Sequence, residues 1–163
     1  MLLLQNFPRD YELEIRKGAF KNNKFSATIP KKEFETLIAK STRLYPKFNK
    51  SEYKINYFNN NIKKITYENG KIDIIKKIKK KKIDMVPFNI RIALSKEIIM
   101  DHLPPSCYSY LSLERIRYTF PNSLYKIELA VDTLQNNRKL YRYEIEFTKC
   151  PTQKDLDKII KQM

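Results

Sequence analysis

The chain contains no tryptophan and only two glycines, two cysteines and one histidine among its 163 residues. Cys107 and Cys150 make no disulfide framework and show no metal-ligand spacing, so we interpret them as reduced intracellular thiols. The single histidine, His102, lies in a proline-flanked loop and is expected at the surface rather than at a catalytic centre. The aromatic residues, 12% of the chain, are expected to pack mainly in the walls of the fold and not to stack on bases.

Long apolar runs are also missing. No run approaches the length of a membrane span, and the leucines at residues 2–4 are too few to form a signal peptide. We therefore expect a cytoplasmic protein without a membrane partner.

Acidic residues are fewer than basic ones, because 33 lysines and arginines stand against 18 acids and give a formal net charge of +15. Such an excess produces a positive field that suits a polyanion, and we favour nucleic acid or phosphate over an acidic membrane surface. With 163 residues, of which 42% are apolar, the chain is large enough to bury a core without disulfides. We expect one domain over residues 1–163.

Carboxylates alternate with large apolar residues on two short segments. Residues 11–16 have the sequence YELEIR and residues 143–147 have the sequence YEIEF. Side chains of a strand point to opposite faces in turn, so Glu12 and Glu14 share one face, as do Glu144 and Glu146. Two strands lined with carboxylates in a basic protein indicate a bound divalent cation.

The remaining elements are predicted from periodicity and turn residues. Further strands are predicted at residues 24–28, 53–58, 62–68, 71–78, 88–97, 113–120, 124–131 and 140–148, and helices at residues 30–44 and from Thr152 onwards. Thr152 and Asp155 have the spacing of a capping box. Asn69-Gly70 predicts a hairpin whose type I′ turn has positive φ at both residues. The lysine-rich residues 76–82 are predicted as a solvated loop or edge strand, with sequence-independent contacts to a nucleic acid as the functional alternative.

Polar side chains recur on one face of five strands, with acid on two strands and mostly base on the other three. These faces comprise Glu12, Glu14 and Arg16; Arg91, Ala93 and Ser95; Arg115, Arg117 and Thr119; Lys126 and Glu128; and Glu144, Glu146 and Thr148. A β-sandwich explains the alternation but not this sorting of charge. We favour a mainly β (α+β) fold, a closed antiparallel eight-stranded barrel with a charged interior and a few flanking helices. The carboxylates would hold Mg²⁺ or Mn²⁺, and the basic residues would hold phosphate oxygens.

The same segments resemble the motifs of the metal-dependent RNA 5′-triphosphatases of the triphosphate tunnel metalloenzyme superfamily, which begin mRNA capping in fungi, protists and large DNA viruses. Residues 12–16 and 143–146 look like the first and last glutamate motifs, and residues 113–120 look like the basic strand. Residues 91–97 and 125–129 fall in the expected order. The resemblance covers nearly the whole chain.

Two positions bear on which branch of the superfamily the chain resembles. Viral relatives often carry a third glutamate in the last motif, whereas Arg142 and Thr148 flank the pair here. A sister branch, the adenylate cyclase and thiamine triphosphatase group, usually carries ExExK near its N-terminus, and Arg16 favours the capping branch instead. A viral source would place the protein in the host cytoplasm or the virion.

The resemblance implies removal of the γ-phosphate from 5′-triphosphate RNA inside the barrel, which leaves a 5′-diphosphate end. It implies that Mg²⁺ or Mn²⁺ is bound by Glu12, Glu14 and Glu146, while Glu144 positions or activates the attacking water. The side chains implied to neutralise the triphosphate are Arg91, Arg115, Arg117 and Lys126. The implied partners are 5′-triphosphate RNA and a guanylyltransferase, fused or separate, and a homodimer stays open.

Several alternatives remain at this point. Arg16 is either a salt-bridge partner of a glutamate or a phosphate ligand, and Lys77 reaches the lumen only in one register. Glu128 is a metal ligand, an outer acid or the partner of Arg117, and we favour the last two. The competing functions are a tunnel enzyme acting on tripolyphosphate or free nucleotides, and a noncatalytic basic barrel that binds RNA or DNA.

Overall fold

The computed structural model describes residues 10–163, and eight of its strands close into a barrel. The elements are β1 (Glu12–Lys17), β2 (Ala19–Lys21), β3 (Lys24–Ser26), α1 (Lys31–Leu44), β4 (Asn49–Phe58), β5 (Ile62–Tyr67), β6 (Ile72–Met85), β7 (Ile90–Met100), β8 (Ser109–Pro121), β9 (Tyr125–Leu134), β10 (Lys139–Phe147) and α2 (Gln153–Gln162). The barrel order is β1-β10-β9-β8-β4-β5-β6-β7, and every pairing is antiparallel. The predicted closed barrel is confirmed, and the sandwich is wrong.

Both helices pack on the outside of the barrel. Leu156, Ile159 and Ile160 of α2 are buried in one cluster with Phe34 of α1 and with apolar residues of five strands. As predicted, α2 begins at a capping box in which Thr152 and Asp155 bond each other's backbone. Neither helix in residues 10–163 is long and apolar enough to cross a membrane. The leucines at residues 2–4 lie outside the described residues.

The helix contacts identify the outer face of these strands. Leu13 and Ile15 belong to the cluster that contains the helices, so they point outwards. Because strand side chains alternate, Glu12, Glu14 and Arg16 point into the lumen. The same reasoning, from Leu129 and from Ile145 with Phe147, turns the polar faces of β9 and β10 inwards. We call the inner face of β7, β1, β10, β9 and β8 the charged wall.

The opposite part of the barrel has the reverse polarity. A second buried cluster contains no helix residue, and its strand residues pair across β4, β5 and β8: Ile55 is the Cα partner of both Ile65 and Leu113. Leu113 alternates with Arg115 and shares its face, so this cluster lines the lumen. We call it the apolar wall, and it comprises Tyr53, Ile55, Tyr57, Ile65, Tyr67, Ile75, Leu113 and Leu134.

A small hairpin, β2 and β3, follows β1 where a single strand at residues 24–28 was predicted. Its turn residues Asn22 and Asn23 both have positive φ, a conformation that asparagine tolerates. The hairpin lies close to Gly18, because a Cβ at this position would be only 2.0 Å from the carbonyl oxygen of Ser26. Glycine is therefore required where the chain leaves the barrel.

Two predictions about β5 and β6 are corrected. The lysine-rich residues 76–82 do not form a loop, because they lie within β6 and pair with β7. The edge-strand alternative fits residues 78–82, because the pairing of β6 with β5 ends at Lys76. The hairpin at Asn69-Gly70 exists, but only Gly70 has positive φ, and its N–H donates to the Tyr67 carbonyl. The type I′ turn is wrong, since a three-residue loop (residues 68–70) with a left-handed glycine connects the strands.

Candidate active site

The three carboxylates implied as metal ligands lie near each other in the lumen. Glu14 is the Cα partner of Glu146 across β1 and β10, and it is only 4% exposed. Burial raises the pKa of Glu12, and the charges of Glu97 and Glu14 raise it further. Burial also raises the pKa of Glu146, to which Glu12 and Glu14 contribute. These carboxylates therefore repel one another, a condition that a divalent cation relieves.

Lysines neutralise two of these carboxylates in the structure. The ammonium of Lys77 contacts Glu14, and Lys126 Nζ lies 3.1 Å from Glu146 Oε2. Within residues 10–163, no group of three or more His, Cys, Asp or Glu side chains is arranged to hold a metal ion. The carboxylates are thus brought together, but they are paired with lysines rather than arranged around one point.

Arg16 takes the first of its two alternatives, as a salt-bridge partner. Its Nη2 lies 2.5 Å from Glu14 Oε2, and its Nε donates to Glu144 Oε2 at 3.0 Å. Arg16 thereby links the two acidic strands. This link depends on the pairing of β1 with β10, which places Arg16 directly opposite Glu144.

Glu144 and Glu128 are neighbours across β10 and β9, and their acidities move in opposite directions. Burial disfavours the charge of Glu144, but Arg16 and Arg115 outweigh it and lower its pKa to about 2. Burial and the charge of Glu144 raise the pKa of Glu128. Glu128 is therefore the member of the pair that holds a proton more readily, and Glu144 stays ionised.

Arg117 and Lys126 lie beside this pair. Arg117 Nη1 is 3.5 Å from Glu128 Oε2, and Lys126 Nζ is 3.2 Å from Glu128 Oε1. The favoured alternative for Glu128, a partner of Arg117, is therefore what the structure shows. Since Lys126 also contacts Glu146, one lysine connects the buried acid pair to the implied metal ligands.

Arg115 is held by an aspartate that the sequence reasoning missed. Its Nε and Nη2 donate to the two oxygens of Asp132 at 2.6 and 2.9 Å. Asp132 is fully buried, and Arg142 also donates to it. Burial opposes the charge of Asp132, but the two arginines outweigh it and lower its pKa. The Arg115 guanidinium, which the resemblance implies as a phosphate ligand, is thus bonded to a carboxylate in this structure.

Arg91 is directed to one end of the barrel. Its Nε and Nη2 donate to the oxygens of Asp84 at 2.6 and 2.9 Å, and its guanidinium lies 4.7 Å from the centre of the Phe25 ring. The structure thus pairs the Arg91 side chain with β6 and the β2–β3 hairpin rather than with the acidic strands.

Three further lumen residues complete the acid–base network around Glu14. Lys77 reaches the lumen and lies 4.0 Å from Glu97, which accepts a 2.8 Å hydrogen bond from Lys63. Glu97 continues the alternation of Ala93 and Ser95 and was detectable from the sequence. Asp132 likewise continues the face of Lys126 and Glu128, but β9 was predicted to end at residue 131. His102 is exposed, as predicted.

Comparison with known proteins finds similarity in structure alone. No family model and no curated protein sequence matches the chain. The RNA triphosphatase domain of a trifunctional mimivirus mRNA capping enzyme superposes with a TM-score of 0.73 and 14% identity, over 94% of this chain and 87% of that chain. The S. pombe Pct1 RNA triphosphatase superposes with a TM-score of 0.69 and 14% identity, over 93% and 75%.

Pct1 in complex with the Spt5 CTD gives a TM-score of 0.66 and 16% identity, over 93% of this chain and 76% of that chain. Both proteins therefore match across more than nine tenths of this chain. The chain has the fold of these RNA triphosphatases.

Proposed function

We propose that this chain is a metal-dependent RNA 5′-triphosphatase, which hydrolyses the γ-phosphate of 5′-triphosphate RNA inside the barrel. The observation that carries the proposal is the continuous contact between acid and base in the lumen. Lys126 contacts Glu146 on one side and Glu128 on the other, and Arg117 contacts Glu128. A site for metal and phosphate together requires acidic and basic groups side by side.

The acidic part of the lumen fits a divalent metal ion. Glu14 is buried, and its charge raises the pKa of both Glu12 and Glu146, so three oxygen donors with mutual repulsion lie together. Glu12, Glu14 and Glu146 would hold Mg²⁺ or Mn²⁺, which prefer oxygen ligands. When bound, such an ion would supply charge stabilisation to a γ-phosphate oxygen.

The basic part of the lumen fits phosphate. Among the described residues, Arg117 Nε is buried without a hydrogen-bond acceptor, so it is a donor available to an oxygen ligand. Lys126 adds a second cation beside it. Phosphate oxygens would exchange with the carboxylates that now contact these groups, because both are anionic acceptors of similar geometry.

Glu144 would position the attacking water. Because its pKa is about 2, it is ionised at neutral pH and accepts hydrogen bonds, yet it is a weak base. We therefore favour positioning of the water over its activation as the role of Glu144. Arg16 fixes the carboxylate through the 3.0 Å hydrogen bond.

The product, a 5′-diphosphate RNA end, is the substrate of a guanylyltransferase, and that activity would come from a fused or separate partner. The mimivirus neighbour is the RNA triphosphatase domain of a trifunctional mRNA capping enzyme, which supports this association. The second candidate is a tunnel enzyme acting on tripolyphosphate or free nucleotides, since the lumen contacts concern only the phosphates.

The test is release of phosphate from γ-labelled 5′-triphosphate RNA with Mg²⁺, with Mn²⁺ or with EDTA. The wild type is compared with Glu14→Gln, which removes one implied metal ligand at constant size. We expect metal-dependent release that falls about 10²–10³-fold in Glu14→Gln. The matched control is the variant Glu114→Gln, which changes an exposed residue on the outer face of β8 and should keep full activity.

Metal-independent release, or full activity in Glu14→Gln, would contradict the proposed metal-dependent hydrolysis. Absence of release with intact RNA binding would indicate the noncatalytic barrel. A higher kcat/KM for tripolyphosphate than for triphosphate RNA would favour the second candidate.

A further inference from the structure

A row of stacked cations and aromatic rings runs along the apolar wall. The ammonium of Lys71 lies 5.5 Å from the centre of the Tyr67 ring. The rings of Tyr67 and Tyr53 are 5.6 Å apart and tilted by 50°, and the Arg117 guanidinium lies 5.3 Å from the Tyr53 ring. The row therefore connects an exposed lysine to the arginine implied in phosphate binding.

The outer end of this row opens into a cleft. The cleft has a volume of about 430 Å³, and its lining residues are Lys50, Ser51, Glu52, Tyr67, Glu68 and Asn69. Ser51 is the Cα partner of Arg117, so the cleft adjoins the strand segment that carries this arginine. Tyr53 is 6% exposed and its ring packs against that of Tyr67.

The charge of the cleft argues against a further phosphate site. Glu52 and Glu68 contribute two carboxylates, and Lys50 is already paired with Glu52 at 2.6 Å. A neutral ligand with a flat aromatic face suits this environment better than an anion. Lys71 covers Tyr67 only with a side chain that is 63% exposed, so a planar group can replace it at small cost.

The inner end of the row continues towards the implied metal ligands. Arg117 contacts Glu128, Glu128 contacts Lys126, and Lys126 contacts Glu146, with separations of 3.5, 3.2 and 3.1 Å. The aromatic rings, the cations and the carboxylates thus follow one another along the row. They would contact, in this order, a base, the phosphates and a metal ion. A nucleoside triphosphate end has its groups in this same order.

We propose that the cleft binds the first nucleoside of the RNA, with its base stacked on Tyr67 and its triphosphate directed past Arg117 into the lumen. This inference rests on the proposed function and deepens it, because it assigns the preference for RNA over inorganic tripolyphosphate. Stacking on an aromatic ring is tolerant of base identity, so the site selects a nucleoside and not a sequence.

The experiment compares Tyr67→Leu, which keeps an apolar side chain but removes the ring, with Tyr67→Phe, which keeps the ring. For each, KM and kcat are measured with 5′-triphosphate RNA, and tripolyphosphate is measured as a competitor through its inhibition constant. We expect Tyr67→Leu to raise KM for RNA about tenfold with kcat and the tripolyphosphate constant unchanged. Tyr67→Phe should retain wild-type values. Tyr110→Leu, an exposed tyrosine at the start of β8, is the matched control.

An unchanged KM for RNA in Tyr67→Leu, or an equal rise for RNA and tripolyphosphate, would overturn the proposal. If Tyr67→Leu loses the wild-type melting transition, Tyr67→Met, whose longer side chain fills more of the length of the ring without stacking, replaces it; a rise in KM for RNA alone supports the proposal, and an unchanged KM overturns it. If the wild type releases no phosphate, the proposed function fails separately. In that case the dissociation constants of triphosphate RNA and of tripolyphosphate are measured by competition, with fluorescence anisotropy as the readout. A selective rise of the constant for RNA in Tyr67→Leu would support stacking on Tyr67, and an unchanged constant or an equal rise of both would overturn it.

Discussion

The charged wall and the apolar wall of the barrel are built on opposite plans. On β1, β9 and β10 the apolar residues face outwards under the helices and the ionised residues face the lumen. On β4 and β5 the apolar and aromatic residues face the lumen, while Lys50, Glu52 and Lys54 are exposed on the outer face. The polarity of a strand therefore follows what covers its outer face.

The difference has a consequence for the site. Where α1 and α2 supply an apolar cover, the inner face is free to carry charge. Where no helix covers the strands, burial of their apolar side is possible only inside the barrel. The apolar wall thus provides hydrophobic burial and also places the Tyr53 ring against Arg117, so that one feature would serve both stability and the proposed binding of the nucleoside.

The largest effect is expected where a charge is most deeply buried on the charged wall. Asp132→Asn removes the anion that Arg115 and Arg142 share, and it leaves two arginines without a partner charge. We expect a loss of about 3 kcal/mol in the free energy of unfolding, measured by urea denaturation at pH 7. Arg142 also donates to the Ala27 carbonyl, which places the loss at the lower end for buried ion pairs. A loss below 0.5 kcal/mol would show that this end of the lumen is solvated.

The apolar wall predicts a cavity penalty within the lumen itself. Ile55 is 1% exposed and packs between Ile65 and Leu113, so Ile55→Ala should cost about 2–3 kcal/mol by the same measurement. Lys54→Ala, one residue away on the outer face, should change the free energy of unfolding by less than 0.5 kcal/mol. Equal effects of the two variants would mean that the faces of β4 are not distinguished.

The two walls also differ in how far the sequence predicted them. Alternation assigned the inward residues of the charged wall, because Glu12 with Glu14 and Arg115 with Arg117 form runs of like residues. It gave no basis for β4, where Tyr53 and Ile55 look like an ordinary buried face, since alternation does not say which face is inside. In a barrel, the packing of helices on the outside and the closure of the sheet determine which face of a strand is inside.

The sequence also did not predict which side chains contact each other across distant strands. Lys77 and Glu14 are separated by 63 residues, and their contact depends on the stagger of β6, β7 and β1. To predict Asp84 as the partner of Arg91, one needs the true length of β6. The lysines of β6 had suggested a loop or an edge strand in its place. These errors share one cause, because strand ends and register are set by pairing with other strands rather than by local residue preference.

The acidic strands of the charged wall predict a specific pH dependence. The pKa of Glu144 is lowered from 4.5 to about 2, so its contribution to stability is present above pH 4.5 and is lost as the pH falls towards 2. Glu144→Gln should be less stable than wild type at pH 7, on the order of 2 kcal/mol, and the gap should close on acidification. Urea unfolding at pH 7, 4.5 and 3.5 measures the gap. A gap that is constant over this range would contradict the lowered pKa.

The smallest effect is expected on the outer surface, where β4 and β8 carry charges that resemble those of the lumen in sequence. Glu114 alternates with Arg115, is paired with Lys54 at 3.7 Å, and has a side chain that is 68% exposed. Because water screens such a pair, Glu114→Gln should change the free energy of unfolding by less than about 0.5 kcal/mol. Its neighbour Arg115 faces the lumen and is bonded to Asp132, so Arg115→Gln should cost several times more. Urea denaturation of the two variants at pH 7 measures this ratio, and a ratio near one would mean that strand face does not decide the energetic role of a charge in this barrel.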